Sequence, residues 1–146
     1  MNTHIYMVRH GESPKVDGSE RSRGLTDKGK TDANRITELL RHESMDRFFT
    51  SPYLRAILTI EDLAEAVGKE IQIFEDLKEV VFLSDDKIMP DNELYPLVTK
   101  MFKERDLPSP GGETISGCQT RAVAVLKEIL KKYRGQKMVI GSHGAS

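Results

Sequence analysis

Ile5-Tyr6-Met7-Val8-Arg9-His10-Gly11-Glu12-Ser13 joins an apolar run to an abrupt polar stop. The run over residues 5–8 reads as the core of a buried strand, predicted over residues 3–9. Its end places Arg9 and His10 at one lip of a sheet. Gly11 then allows a sharp turn, or the close approach of a ligand. A histidine at such a lip titrates near neutrality and can serve as nucleophile or proton shuttle. An arginine beside it offers a planar fork that matches phosphate or carboxylate. The plainer alternative is a salt-bridged arginine and a histidine held in a turn.

Outward from this stretch, residues 13–24 include Pro14, Gly18 and Gly24 and read as a loop long enough to wall a site. Arg21 and Arg23 lie in it, either reaching an anionic ligand or simply solvated. Thr26 caps a helix, with Asp27 at its positive end. Ala33, Ile36, Leu39 and Leu40 form its apolar face. Residues 45–50 read as a short strand through Phe48 and Phe49. Ser51-Pro52 predicts a helix start, the serine capping and the proline opening the first turn. Leu54, Ile57, Leu58, Leu63, Ala64 and Val67 make its buried stripe, and Gly68 stops it. Arg55 falls in the first turn, where free amides favour an anion; taken alone it reads as a solvated surface arginine.

Residues 70–74 alternate as a strand, and residues 76–82 precede a polar loop with Ser84, Asp85 and Asp86. Glu79 stands between Leu77 and Val80-Val81-Phe82. It is either partly desolvated and suited to donate a proton, or turned to water. Residues 92–105 form the clearest amphipathic helix, with Leu94, Leu97, Val98, Met101 and Phe102 on one side. Pro108, Pro110, Gly111 and Gly112 make a loop. Glu113-Thr114 then leads into a long helix with Ala122, Leu126, Ile129, Leu130 and Tyr133 inward and Cys118 as a small core residue. Gly135 ends it. Residues 137–141 form the last strand, stopped by Ser142-His143-Gly144 much as the first is stopped by Arg9-His10-Gly11.

Strands alternating with helices predict a mostly parallel sheet. Parallel strands bring their carboxyl ends to one edge, where ligands of α/β sheets bind. His10 and His143 then share that edge, and face each other if their strands are neighbours. One imidazole could attack phosphorus in line while the other and the arginines neutralise the phosphoryl oxygens. Glu79 would protonate the leaving oxygen.

Composition narrows the partners. The 146 residues are 38% apolar and 31% charged, enough for one domain with a real core. The net charge of −1 gives no global basic field for nucleic acid, so an anion site must be local. A single cysteine, Cys118, rules out an intrachain disulfide and points to a reducing compartment, read as cytoplasmic. No run approaches the ~20 apolar residues of a membrane span, and no signal peptide is read at the start. His4, His10, His42 and His143 show no paired ligand spacing, so no metal is expected.

Arg9-His10-Gly11-Glu12, Leu25-Thr26-Asp27-Lys28-Gly29, Ser51-Pro52 with Arg55, Gly111-Gly112-Glu113-Thr114 and His143-Gly144 carry a resemblance. In order and spacing they are similar to the histidine phosphatase superfamily, also called phosphoglycerate mutase-like, over nearly the whole chain. The resemblance implies a three-layer α/β/α fold with a mostly parallel central sheet. It implies His10 as the residue phosphorylated in turnover. Arg9, Arg55 and His143 complete the phosphate pocket, and Glu79 is the acid, two residues after Leu77 as in the family pattern. Ser13, Arg21, Arg23 and Glu113 are candidate substrate contacts. The implied activity is metal-independent hydrolysis of a small phosphomonoester through phosphohistidine, without a cofactor. The alternatives are a phosphoglycerate mutase, with 2,3-bisphosphoglycerate as cofactor, and a non-catalytic member that binds phosphate or a partner. The short spacing between motifs favours the hydrolase.

Three departures from the family pattern bear on that expectation. Pro14, Lys15 and Val16 follow Ser13 where members often carry an asparagine of the phosphate pocket. Val80-Val81-Phe82-Leu83-Ser84-Asp85-Asp86 stands where many members read Phe-Gly-x-Trp-Glu-Gly. The chain stops at Ser146, where members continue with a helix and a strand. One C-terminally shortened domain over residues 1–146 is therefore expected, weakly active at most, with an exposed edge that invites a homodimer.

Overall fold

The computed structural model describes residues 2–14, 21–79, 91–109 and 112–143. The expectations for residues 15–20, for residues 80–90 with Ser84-Asp85-Asp86, for Pro110-Gly111 and for Gly144 lie outside them. The elements in chain order are β1 (His4–Arg9), α1 (Asp27–Leu40), β2 (Arg47–Thr50), α2 (Leu54–Ala66), β3 (Ile71–Ile73), α3 (Asp91–Lys103), α4 (Ile115–Lys132) and β4 (Lys137–Ser142). A 3-10 turn, Glu75–Leu77, follows β3. The strands form one sheet in the order β1-β4-β2-β3, and every pairing is parallel.

Side-chain alternation assigns the layers. Phe48 of β2 and Val139 of β4 pack with Ile60, Leu63 and Ala64 of α2 and, at the margin, Ile36 and Leu40 of α1. Phe49, Met138 and Ile140 point the opposite way, into Ala122, Val125 and Ile129 of α4. β4 is therefore covered on both faces, as an apolar central parallel strand should be. α3 packs through Met101 and Leu97 on Ile115 and Cys118 at the start of α4. The architecture is the expected α/β/α.

Several details differ from the expected stripes. Leu39, Leu54, Phe102 and Leu130 are exposed. α1 buries Gly29, Ala33 and Thr37, a line of small residues, so Leu39 falls on its outer side. α4 buries Ile115, Cys118, Ala122, Val125 and Ile129, alternating steps of three and four that leave Leu130 one position off the seam. The helix expected at Ser51-Pro52 begins at Leu54, with Tyr53 as its uncapped first boundary. Ser51 is held instead as an extension of β2, its N–H donating to the Gly141 carbonyl. The described part of residues 76–82 begins in the 3-10 turn, with Leu77 buried against α4.

Small residues set how closely α1 and α2 approach the strand ends. Thr26 caps α1 by accepting from Gly29 N–H, and it ties back to Glu12 through its own N–H at 2.9 Å. A methyl group on Gly11 would lie 2.8 Å from the Gly29 carbonyl oxygen, and one on Gly29 would strike the Glu12 backbone. The freedom offered by Gly11 is thus used for helix contact, backbone against backbone. On the other face of the turn, Gly11 N–H donates to Thr59 Oγ1 of α2 at 3.0 Å. Because the obstacle at Gly29 is main chain, Gly29→Ala has no side chain to push aside. It should cost about 1–3 kcal/mol or more, read as a lower urea midpoint; an unchanged midpoint would contradict this packing.

Candidate active site

β1 and β4 pair in register, Arg9 opposite Ser142, and His10 N–H still donates to the Ser142 carbonyl at 3.2 Å. The two histidines therefore leave the sheet side by side, with ring centroids 5.1 Å apart. His10 Nδ1 lies 2.8 Å from the Gly11 carbonyl. A carbonyl only accepts, so Nδ1 carries the hydrogen and the neutral ring keeps its lone pair on Nε2. Arg55 Nε donates toward that Nε2 at 3.4 Å.

Arg55 is almost fully buried, at 1% exposure. The alternative of a solvated surface arginine is thereby overturned. It sits in the first turn of α2, and its guanidinium lies over the Tyr53 ring, 4.6 Å from the centroid. Tyr53 in turn meets His143 edge-on at 5.1 Å. Ser51 Oγ shares a 2.7 Å hydrogen bond with His143 Nε2 and accepts from Tyr53 N–H. Glu79 approaches the other side of His143, Oε2 to Nδ1 at 3.9 Å, and its side chain is only 16% exposed. It is turned into the site rather than out to water. The separation is longer than a hydrogen bond.

Both imidazoles are held neutral. Burial lowers the His10 pKa, and Arg55, Arg23 and Arg9 add to the effect, while the bond to Gly11 works against it. His143 is pushed from its ordinary 6.5 down to about 2, first by burial and then by Arg55, His10, Arg23 and Arg121. Guanidinium charge around neutral rings favours an incoming anion, whose charge reverses the local field. His10, Glu79 and His143 also bring potential metal-ligand atoms within 4.8 Å of one another. Arg55 donating into His10 Nε2 and the surrounding guanidinium charge make that cluster a better host for an anion than for a cation.

The remaining sequence candidates are more dispersed. Arg9 ends β1 with its side chain exposed, close enough for its charge to act on His10. Arg23 acts on both histidines and donates to the Pro14 carbonyl. Arg21 pairs with Glu75 and lies over Tyr53. Ser13 Oγ donates to the Gly24 carbonyl, closing the base of the first loop. Glu113 is engaged by Arg121, with Nε to Oε2 at 2.8 Å and Nη2 to Oε1 at 2.9 Å. Ser51 as a partner of His143, Tyr53 as the shared ring and Arg121 were not singled out from the sequence. Ser51 had a usable signal, since it ends a strand whose carboxyl edge is the one that carries His10 and His143.

With this geometry in place, comparison with known proteins is decisive. A family model described as the histidine phosphatase superfamily (branch 1) matches residues 5–146. The chain belongs to this superfamily. Phosphoglycerate mutase-like protein 4 of Arabidopsis thaliana is 29% identical over 155 residues, covering 96% of this chain and 66% of the relative. Phosphoserine phosphatase 1 of Hydrogenobacter thermophilus is 29% identical over 153 residues, covering 95% of this chain and 70% of the relative. The chain thus spans about two thirds of the length of the curated relatives it matches. Among solved structures, phosphoserine phosphatase from Entamoeba histolytica, in complex with 3-phosphoglyceric acid, superposes with a TM-score of 0.80 at 25% identity, covering 99% of this chain and 75% of that one. Histidine phosphatase relatives thus include both phosphatases and mutase-like proteins, and among the described residues no helix is long and apolar enough to cross a membrane.

The burial of His143 at the end of β4 has a consequence for stability. The unfolded chain protonates His143 near its ordinary 6.5, whereas the folded chain resists protonation down to about 2. The sign follows directly: stability is intact above pH 6.5 and falls as pH drops below it. Between about pH 7.5 and pH 5, before most carboxylates titrate, this one group should remove about 2 kcal/mol. Urea unfolding of the wild type and of His143→Gln over that range checks the point, the variant showing the shallower slope. Equal slopes would mean that His143 is not held neutral in the fold.

Proposed function

We propose that this chain is a phosphomonoester hydrolase working through a phosphohistidine at His10. The observation that carries the reading is the His10 Nε2 lone pair, freed by the Gly11 carbonyl at 2.8 Å and set beside Arg55 at 3.4 Å. In the first step Nε2 attacks phosphorus and the bond from phosphorus to the ester oxygen breaks. Glu79 gives that oxygen its proton, and the alcohol leaves. In the second step Glu79, now a carboxylate, takes a proton from water, whose oxygen attacks phosphorus and releases inorganic phosphate and free His10. Arg55 and Arg9 hold the phosphoryl oxygens, with His143 as a neutral N–H donor and Arg23 adding positive charge, so guanidinium groups supply the cationic clamp that phosphoryl transfer needs. No metal or organic cofactor enters this scheme. Ser13, Arg21, Arg23 and Glu113 would contact the rest of the substrate, a small phosphorylated molecule.

The relative named as mutase-like supports a second reading, in which the phosphoryl group passes from His10 to another hydroxyl instead of to water. Turnover that requires 2,3-bisphosphoglycerate and yields an isomeric phosphoester, with no release of phosphate, would select it. Phosphate binding without turnover would select a non-catalytic member.

Two measurements test the main reading. Brief exposure to an aryl phosphate followed by a quench should leave a base-stable, acid-labile phosphoryl group on the protein, absent in His10→Ala. Undiminished turnover in that variant removes the proposal. Arg55→Ala should lower kcat/KM by about 10²–10³, equivalent to about 3–4 kcal/mol of transition-state stabilisation, by analogy with loss of one oxyanion donor.

A further inference from the structure

We propose that Arg121 is a positioning residue for the general acid, holding the main chain that carries Glu79 at the distance from His143 that protonation of the leaving oxygen requires. The inference rests on the reading of Glu79 as that acid. Arg121 lies on α4, from which its charge acts on His143. Its guanidinium has five N–H groups, and the structure finds an acceptor for each. Nε and one Nη2 hydrogen go to the two oxygens of Glu113, at 2.8 and 2.9 Å. The other Nη2 hydrogen goes to the Glu79 carbonyl at 3.0 Å. Nη1 reaches the Asp76 and Lys78 carbonyls, both at 2.7 Å. The pair is largely enclosed, Arg121 at 13% and Glu113 at 20% side-chain exposure.

The need for such a clamp follows from the local chain. Glu79 belongs to no helix or strand; the 3-10 turn ends at Leu77, and Lys78 is already extended. The carbonyls of Asp76, Lys78 and Glu79 point to α4, where Arg121 collects them. Leu77, buried in the α4 core, supplies the apolar half of the anchor. Glu113, one residue before the cap Thr114 of α4, fixes the guanidinium plane by a bidentate bond. A lysine would keep the charge but has no planar fork with which to serve a carboxylate and three carbonyls together.

A structural role alone would slow all substrates together. A role through Glu79 depends on how badly the leaving oxygen needs a proton. p-Nitrophenyl phosphate, with an acidic leaving phenol, needs little help; a simple alkyl phosphate, leaving as an alkoxide unless protonated, needs much. Full-length Glu79→Gln should slow the alkyl ester about 10²-fold more than the aryl ester, the usual scale of general acid catalysis. Arg121→Lys should reproduce that selectivity at about tenfold or more, since a displacement of about 1 Å is costly for positioned groups. The double variant should be no slower on the alkyl ester than Glu79→Gln alone. Glu113→Gln, which leaves the arginine in place, should show the same pattern more weakly and serves if Arg121→Lys does not fold.

Equal slowing of both esters in Arg121→Lys and Glu113→Gln, or multiplicative losses in the double variant, overturns the inference about Arg121 and leaves the function standing. Lack of leaving-group selectivity in Glu79→Gln overturns the assignment of the acid and the inference with it. A wild-type chain without His10-dependent turnover of either ester overturns both.

Discussion

The parallel register between β1 and β4 is the constraint on which the site depends. Arg9 opposite Ser142 leaves His10 and His143 as the first residues past a paired end, so their rings meet without any long loop to order. Slipping β1 by one residue would turn His10 to the opposite face, because side chains alternate with a period of two. Register is secured from below by Ile5, Tyr6 and Val8, which contribute to the two layers of core. It is secured from above by Gly11, which binds Thr59 and leaves room for Gly29. Packing of the core and placement of His10 are one structural fact.

Charge is arranged around that pair with a consistent sign. A buried guanidinium at Arg55, a half-buried one at Arg23 and an exposed one at the rim, Arg9, surround two rings whose charged form burial disfavours. Gathering three guanidinium charges at one sheet edge costs free energy through their mutual repulsion. Stacking on Tyr53 offsets part of that cost for Arg55. The arrangement is suited to being completed by an anion, and this is why the phosphate reading follows from electrostatics as well as from kinship.

Much of this was legible in the sequence, and the reasons it was legible are physical. An apolar run ending in Arg-His-Gly, and a second ending in Ser-His-Gly, mark strand ends on one edge once strand and helix alternate. Thr26-Asp27 marks a helix start, and Thr26 does cap α1. Less visible was anything that depended on which side of a helix met the core. Leu39 and Leu130 fit a helical period, yet α1 turns its small residues inward because Gly11 and Glu12 press against it. Arg55 reads as a surface residue because an arginine in a first turn usually is one; its burial depends on Tyr53, just before it, and on His10, 45 residues away in the chain. Ser51 was read as a cap for the same local reason, while the β2–β4 ladder kept it extended.

The two histidines and Glu79 stand on different supports, and this difference shapes how the site can vary. His10 and His143 are carried by a sheet whose register is tied to both core layers. Glu79 is carried by irregular chain, attached to α4 through Leu77 and the carbonyls that Arg121 binds. A segment without its own ladder can shift when the side chain that gathers it changes, whereas the sheet end cannot shift without disturbing the core. His10 and His143 are thus the stiff half of the site, set by main-chain pairing. Glu79 is the adjustable half, its main chain held by a side chain on α4. Changes among relatives that alter the leaving group should therefore be absorbed around Glu79, Glu113 and Arg121, with the edge formed by Arg9-His10 and Ser142-His143 left as it is.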